Sequence, residues 1–205
     1  MSLSQQLDRL LEAGLAEVTG VAPADLAAQV AALPDEPQSV LAVHPGLATA
    51  RQLAPLLRHH GKPGFVVEDM TDLEAFVAIE RVAAVLPERP FYLLHGLDRG
   101  DDMRNWSPTE ALPAVLGRGR SPLTVNEGIS WLLQDPKILE PNHCFMTIGS
   151  RKPKGETLDA RTPAIWISGG TGRDGTARRG APKVGWCWAG NRHTWLGFAS
   201  AAHRH

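Results

Sequence analysis

Helical periodicity stops at residue 142, and this break constrains the fold more than any other feature of the chain. Beyond it, Cys144–Ile148, Ala164–Ser168, Lys183–Ala189 and Trp195–Ala199 read as short apolar strands separated by Gly- and Arg-rich turns. No helix is read between them, so these short strands predict antiparallel pairing there. Before residue 142 the pattern is mixed. Leu3, Leu7, Leu10, Leu11, Leu15 and Val18 recur at three- and four-residue steps and predict an amphipathic helix over 3–18, ended by Gly20. A second helix is predicted over 23–33, and Pro34-Asp35-Glu36-Pro37 breaks the chain after it. Residues 1–33 therefore read as a helical hairpin packed on a main domain over 38–205.

Within the main domain, Ser39–Val43, Gly64–Glu68 and Phe91–His95 read as strands alternating with helices over 47–60 and 72–80, which favours parallel pairing with crossover helices. Helices resume over 108–116 and 124–133. In the second, Thr124 stands three residues before Glu127, the spacing of a capping box, and Val125, Ile129, Leu132 and Leu133 line one face. The expected fold class is α+β, a mixed β-sheet flanked by helices with an N-terminal helical hairpin.

Composition narrows the class. The 205 residues are 43% hydrophobic and 21% charged, as in a globular domain. No apolar run reaches the roughly 18 residues of a membrane-spanning helix, so no membrane partner is expected. The first residues, MSLSQQLDRLLEAG, interleave charges with apolar positions and lack a signal-peptide core, which makes a cytoplasmic location the expectation. Cys144 and Cys187 form no metal-binding or redox spacing, and both sit in apolar runs that predict free thiols.

The charge is uneven along the chain. Residues 1–150 carry 11 Lys and Arg against 19 Asp and Glu, whereas residues 151–205 carry 10 against 3. Either the basic part holds an anionic ligand, or the two parts face one another and neutralise. A nucleic-acid partner is not expected, because the larger part is acidic and the pI is near 6.7.

Gly170-Thr171-Gly172-Arg173-Asp174-Gly175 matches a dinucleotide fingerprint by letter, but Gly180 and Pro182 leave no room for the helix that would bind pyrophosphate. A hairpin loop over 169–182, read as a lid whose Arg173, Arg178 and Arg179 would clamp an anion, fits better. Asp98, Asp101 and Asp102 beyond the Phe91 strand either bind a cation or simply cap and solvate the loop. No zinc spacing is present, and neither a metal nor a cofactor is expected.

The densest chemistry lies in Gly185-Trp186-Cys187-Trp188-Ala189-Gly190-Asn191-Arg192-His193-Thr194-Trp195. Trp186, Trp188 and Trp195 would wall a pocket, Asn191, Arg192 and Arg151 would hold an anion, and His193 would be the acid–base group with Glu127 assisting. The function expected from this set is binding of a small anionic, partly aromatic metabolite. If catalytic, it would be cofactor-independent proton-transfer chemistry of lyase, hydrolase or cyclase type. The alternative is a non-enzymatic protein-interaction module in which the hairpin presents an apolar face and the tryptophans are core.

Five stretches carry a resemblance: Gly61-Lys62-Pro63-Gly64-Phe65; Arg99-Gly100-Asp101-Asp102-Met103; Pro122-Leu123-Thr124 with Glu127-Gly128; Gly149-Ser150-Arg151; and Gly185 to Asn191 with His193 to Gly197. Together they resemble a family of actinobacterial proteins known only as a domain of unknown function. The likeness runs from about residue 40 to the end. It implies a bacterial cytoplasmic protein with one shared architecture, and it transfers no activity and no catalytic residues.

Overall fold

A computed structural model describes residues 1–205. Seven helices are formed: α1 (Leu3–Ala13), α2 (Leu15–Thr19), α3 (Pro23–Ala31), α4 (Ala50–Leu53), α5 (Glu80–Ala83), α6 (Pro108–Gly117) and α7 (Val125–Gln134). The main strands are β1 (Val40–Val43), β2 (Phe65–Val66), β3 (Phe91–His95), β4 (Cys144–Met146), β5 (Arg161–Ile167), β6 (Pro182–Trp188), β7 (Leu196–Phe198) and β8 (His203–Arg204). They make two sheets, one of order β1-β3-β8 and one of order β7-β4-β5-β6-β2. The fold is α+β with mixed sheets and an N-terminal helical pair.

Helix α7 is the centre of the molecule. All ten of its residues are buried, and it packs on α1, α4, β1 and β5. Its polar residues join the surrounding elements. Ser130 Oγ accepts from Val43 N at 3.0 Å, Asn126 Nδ2 donates to Ala48 O at 2.8 Å, and Gln134 Nε2 donates to Gln6 O at 3.1 Å. Each of these groups would cost stability if left unpaired, so the bonds fix how β1, α4 and the hairpin sit on the helix. At Gly128 a Cβ would come within 2.6 Å of Thr147 Cγ2, so glycine allows the helix to lie close against the sheet.

The hairpin shares this core. Leu3, Leu7, Leu10, Leu26 and Val30 are buried with the residues of both sheets. The apolar stripe expected to present itself to a partner is therefore covered from within the chain. The helix expected over 3–18 is two helices, because Gly14 takes a left-handed φ of 107° and divides α1 from α2.

Four expectations are corrected. β1 and β3 pair antiparallel, with Val40 opposite Leu94 and Val43 opposite Phe91, and the Gly64–Glu68 segment joins the other sheet as β2. The crossover helix required for parallel pairing does not form: the helix expected over 47–60 is only Ala50–Leu53 and a 3₁₀ turn at Ala54–Leu56. Pro55 removes a helix donor, and Arg58–His59 then pairs back on Lys62–Pro63. The helix expected over 72–80 is likewise a 3₁₀ turn at Leu73–Ala75, a strand at Val77–Ala78 paired with Ser150–Arg151, and α5. In the last part, β5 pairs antiparallel with β4 and β6, but β7 runs parallel to β4, and β2 runs parallel to β6. The chain between β4 and β7 is spent on the β5–β6 hairpin, so β7 returns to the edge in the same direction as β4.

The uneven charge is resolved by pairing across the chain. Arg161 and Lys152 meet Asp72, Arg173 meets Asp69, Arg178 meets Glu68, Arg192 meets Glu110 and Arg204 meets Glu127. Both cysteines are free. Burial raises the Cys144 thiol and pushes Cys187 up to about 11, so neither is a ready nucleophile.

Candidate functional site

The residues expected to form one pocket are distributed over several places. Side chains alternate along a strand, and the β5–β6 register sets Trp166 opposite Lys183 and Pro163 opposite Trp186. Trp186 and Trp188 therefore stand on one face, 4.6 Å apart between ring centroids. Trp166 stands on the other, where it meets Trp195 edge to face at 6.2 Å, and Lys183 Nζ lies 4.9 Å from the Trp166 ring. The three tryptophans expected to wall a pocket are thus divided by the sheet itself.

Two of their polar neighbours, Arg192 and Arg151, are spent on structure. Asn191 N closes the turn by donating to Trp188 O at 3.0 Å. Arg192 Nη1 donates to Asn105 O at 2.9 Å, and Arg192 also pairs with Glu110 on α6. His193 packs against Trp195, ring centroids 5.2 Å apart, and burial lowers its pKa, so the imidazole is neutral at pH 7. Its buried Nε2 has no partner, and its carbonyl accepts from Asn105 N. Arg151 is buried at a strand end, where Nη2 donates to Asp159 O at 2.8 Å and desolvation lowers its pKa.

Glu127 is the clearest correction to an expected role. Its side chain and that of Arg204 are both 0% exposed. Arg204 Nη2 donates to Glu127 Oε2 at 2.8 Å, Tyr92 Oη donates to Oε1 at 3.1 Å, and Thr124 N donates to Oε2 at 2.7 Å. Burial opposes the Arg204 charge, but the bonds and charge of Glu127 outweigh it and raise the Arg204 pKa. Burial and the Glu127 charge likewise hold the Tyr92 phenol far above its usual range. A carboxylate committed to three partners in the core caps and anchors α7 rather than moving protons for a substrate.

The Asp98–Asp102 loop is also committed. Asp101 pairs with Arg99 and Arg104, Asp102 with Arg118, and Asp98 Oδ1 accepts from Gly100 N at 2.8 Å. The Gly/Arg loop is the β5–β6 hairpin connection, with Asp174 in it held by Ser168 and Lys183 at 2.7 Å each.

The cavity best suited to a ligand is elsewhere, at the N-terminus of α7. It measures about 550 Å³ and is bounded by α4, the Leu73–Ala83 segment and the first turn of α7. Leu73, Phe76, Val77, Leu86 and Val125 supply an apolar wall, and Thr124, Asn126 and Ser150 supply the polar end. None of the eight residues singled out from the sequence lines it. The local structure follows from the capping box: Thr124 Oγ1 accepts from Glu127 N, and Ser150 Oγ accepts from Val125 N at 3.0 Å. Both hydroxyl protons, the Asn126 N–H and the Asn126 Oδ1 meet no protein partner. The cleft thus joins an apolar wall to unspent donors at a helix N-terminus, where the helix dipole favours negative charge.

Two of the stretches behind the family resemblance, Pro122-Leu123-Thr124 with Glu127-Gly128 and Gly149-Ser150-Arg151, contribute Thr124 and Ser150 to this lining. A family model matches residues 9–205. The chain belongs to a family of unknown function (DUF5701). The match takes in most of the hairpin together with the main domain, so the family's shared unit includes the helices buried in the common core. Neither the curated proteins nor the solved structures contain a match. No helix is long and apolar enough to cross a membrane.

Proposed function

We propose that the protein binds a small, largely apolar molecule bearing one carboxylate or carbonyl head, with the head on the first turn of α7. The observation that carries this reading is the set of unspent donors, the Thr124 and Ser150 hydroxyls and the Asn126 backbone N–H, on buried residues lining a mostly apolar cleft. A cleft of about 550 Å³ falls in the size range of small-molecule sites, whose lining is mostly apolar with a few polar groups to fix orientation. The ligand class expected from the sequence, a small anionic and partly aromatic metabolite, is kept, and the residues that hold it change. The one titratable side chain lining the cleft, Glu74, is paired with Arg51 at 2.7 Å, so the proposal is binding rather than acid–base catalysis.

The test is a thermal-shift series with octanoate and 3-phenylpropionate, and with octylamine as the head-group control. A ligand at a hundred times its Kd adds about 2.7 kcal/mol, or roughly 5–10 °C in a domain of this size. The carboxylates are expected to raise Tm and the amine is not. Ala83→Trp, at an exposed position lining the cleft, is expected to abolish the shift without lowering the Tm of the free protein. A shift that survives this plug, or no shift with either carboxylate, overturns the reading.

A further inference from the structure

A second site is built where the C-terminal strand meets the linker that follows the hairpin. β8 pairs antiparallel with β3, and the register sets His203 directly opposite His95. Their rings are stacked, centroids 4.3 Å apart and planes within 7°. Alternation along the strand sends Arg204 to Glu127 on one side and His205 to the same side as His203. Glu36 approaches this side from the linker, in a turn closed by Ser39 Oγ donating to Glu36 O at 2.7 Å. Glu36 Oε2 lies 3.1 Å from His95 Nε2, and Oε1 lies 3.0 Å from His205 Nδ1. One ligand atom from each of Glu36, His95 and His203 lies within 4.8 Å of the other two.

His95 gives the cluster its direction. The residue is 8% exposed, and its Nε2 is buried without a hydrogen bond, with the Glu36 carboxylate oxygen 3.1 Å away.

We infer that Glu36, His95 and His203 form a binding site for a divalent transition-metal cation of the zinc class. Two imidazoles and one carboxylate are a nitrogen–oxygen set that suits Zn²⁺ and its first-row neighbours, whereas Ca²⁺ and Mg²⁺ take oxygen ligands. Ligand atoms in a tetrahedral zinc site stand about 3.4 Å apart, given bonds of about 2.0–2.1 Å. Closing from the present spacing requires the exposed His203 ring to swing out of its stack and Glu36 to turn toward it, and the β3–β8 pairing already holds the two histidine backbones in place. Three protein ligands leave a fourth position for water or for His205. The set shares no residue with the α7 cleft, so the inference stands apart from the proposed ligand.

The probe is Zn²⁺ itself, titrated calorimetrically into full-length protein stripped with a chelator, with Co²⁺ as a coloured substitute. One equivalent is expected to bind, and Co²⁺ is expected to give the visible absorption of a tetrahedral centre. His203→Ala and Glu36→Gln alter residues outside the core and are each expected to weaken Zn²⁺ at least about tenfold, a loss that even outer-shell changes produce. His60→Ala, in the separate His59–His60 pair, is expected to leave affinity unchanged. Absence of Zn²⁺ binding, or binding that is insensitive to His203→Ala and Glu36→Gln, or that is lost in His60→Ala instead, overturns the assignment.

Discussion

The Trp-rich segment Gly185–Trp195 and the first turn of α7 make an instructive pair. The first has the side chains of a binding site, and several of them are used. Arg192 is paired with Glu110, the Asn191 backbone closes a turn, Trp195 packs on Trp166, and Trp186 shares a face with Trp188. The second reads as an ordinary helix start, yet it leaves two hydroxyls and an N–H unspent beside an apolar wall. Density of functional side chains therefore says less about a site than the number of donors and acceptors still free once the fold has taken its share.

The largest effect that sharpens this contrast comes from the two arginines. Arg204→Ala leaves the Glu127 carboxylate charged in the core without its partner and is expected to cost about 3–5 kcal/mol in urea denaturation. Arg192→Ala removes a solvent-exposed pair and is expected to cost less than about 1 kcal/mol. Equal costs would remove the distinction between the segment that decorates the surface and the helix that organises the core.

The second effect is one of pH, on the Trp186 face. Arg161 lies between Asp72 and Asp159, and its guanidinium is 6.0 Å from the Trp186 ring. Hydrogen bonds from Arg161 and then Lys152 hold the Asp72 carboxyl far below its usual range, and Arg161 holds Asp159 at about 2. A carboxylate whose folded pKa is depressed contributes stability that is full above its unfolded pKa of about 3.9 and is lost as pH falls toward the folded value. Stability is therefore expected to fall from about pH 4 toward pH 2, and Arg161→Leu is expected to flatten that fall. An unchanged acid limb in the variant would show that the cluster does not hold this face.

The smallest effect belongs to Trp188, which is 49% exposed and touches Trp186 edge to face. Trp188→Ala is expected to cost about 1 kcal/mol, the scale of one aromatic pair, and to leave carboxylate binding unchanged. Loss of binding in this variant would return the ligand to the Trp-rich segment.

Local rules carried the reading of the fold where a single element was at stake. The capping box at Thr124 and Glu127, the hairpin helices and the four late strands follow from periodicity and cap chemistry. Pairing direction between β1 and β3 did not, because it depends on whether the intervening 47 residues form a crossover helix, and Pro55 prevents one. The candidate site was legible only as a helix start. Its wall comes from the 73–86 segment, and its value lies in donors without partners, which no spacing encodes. Glu36, His95 and His203 are likewise far apart in the chain: the β3–β8 register joins the two histidines, and Glu36 reaches them from the linker.

The most direct test is to titrate octanoate calorimetrically into the wild type, Ala83→Trp and His193→Ala side by side. Binding lost in Ala83→Trp and retained in His193→Ala is the predicted result. Binding retained with the cleft plugged and lost without the His193 imidazole would contradict the account and place the ligand on the Trp-rich turn.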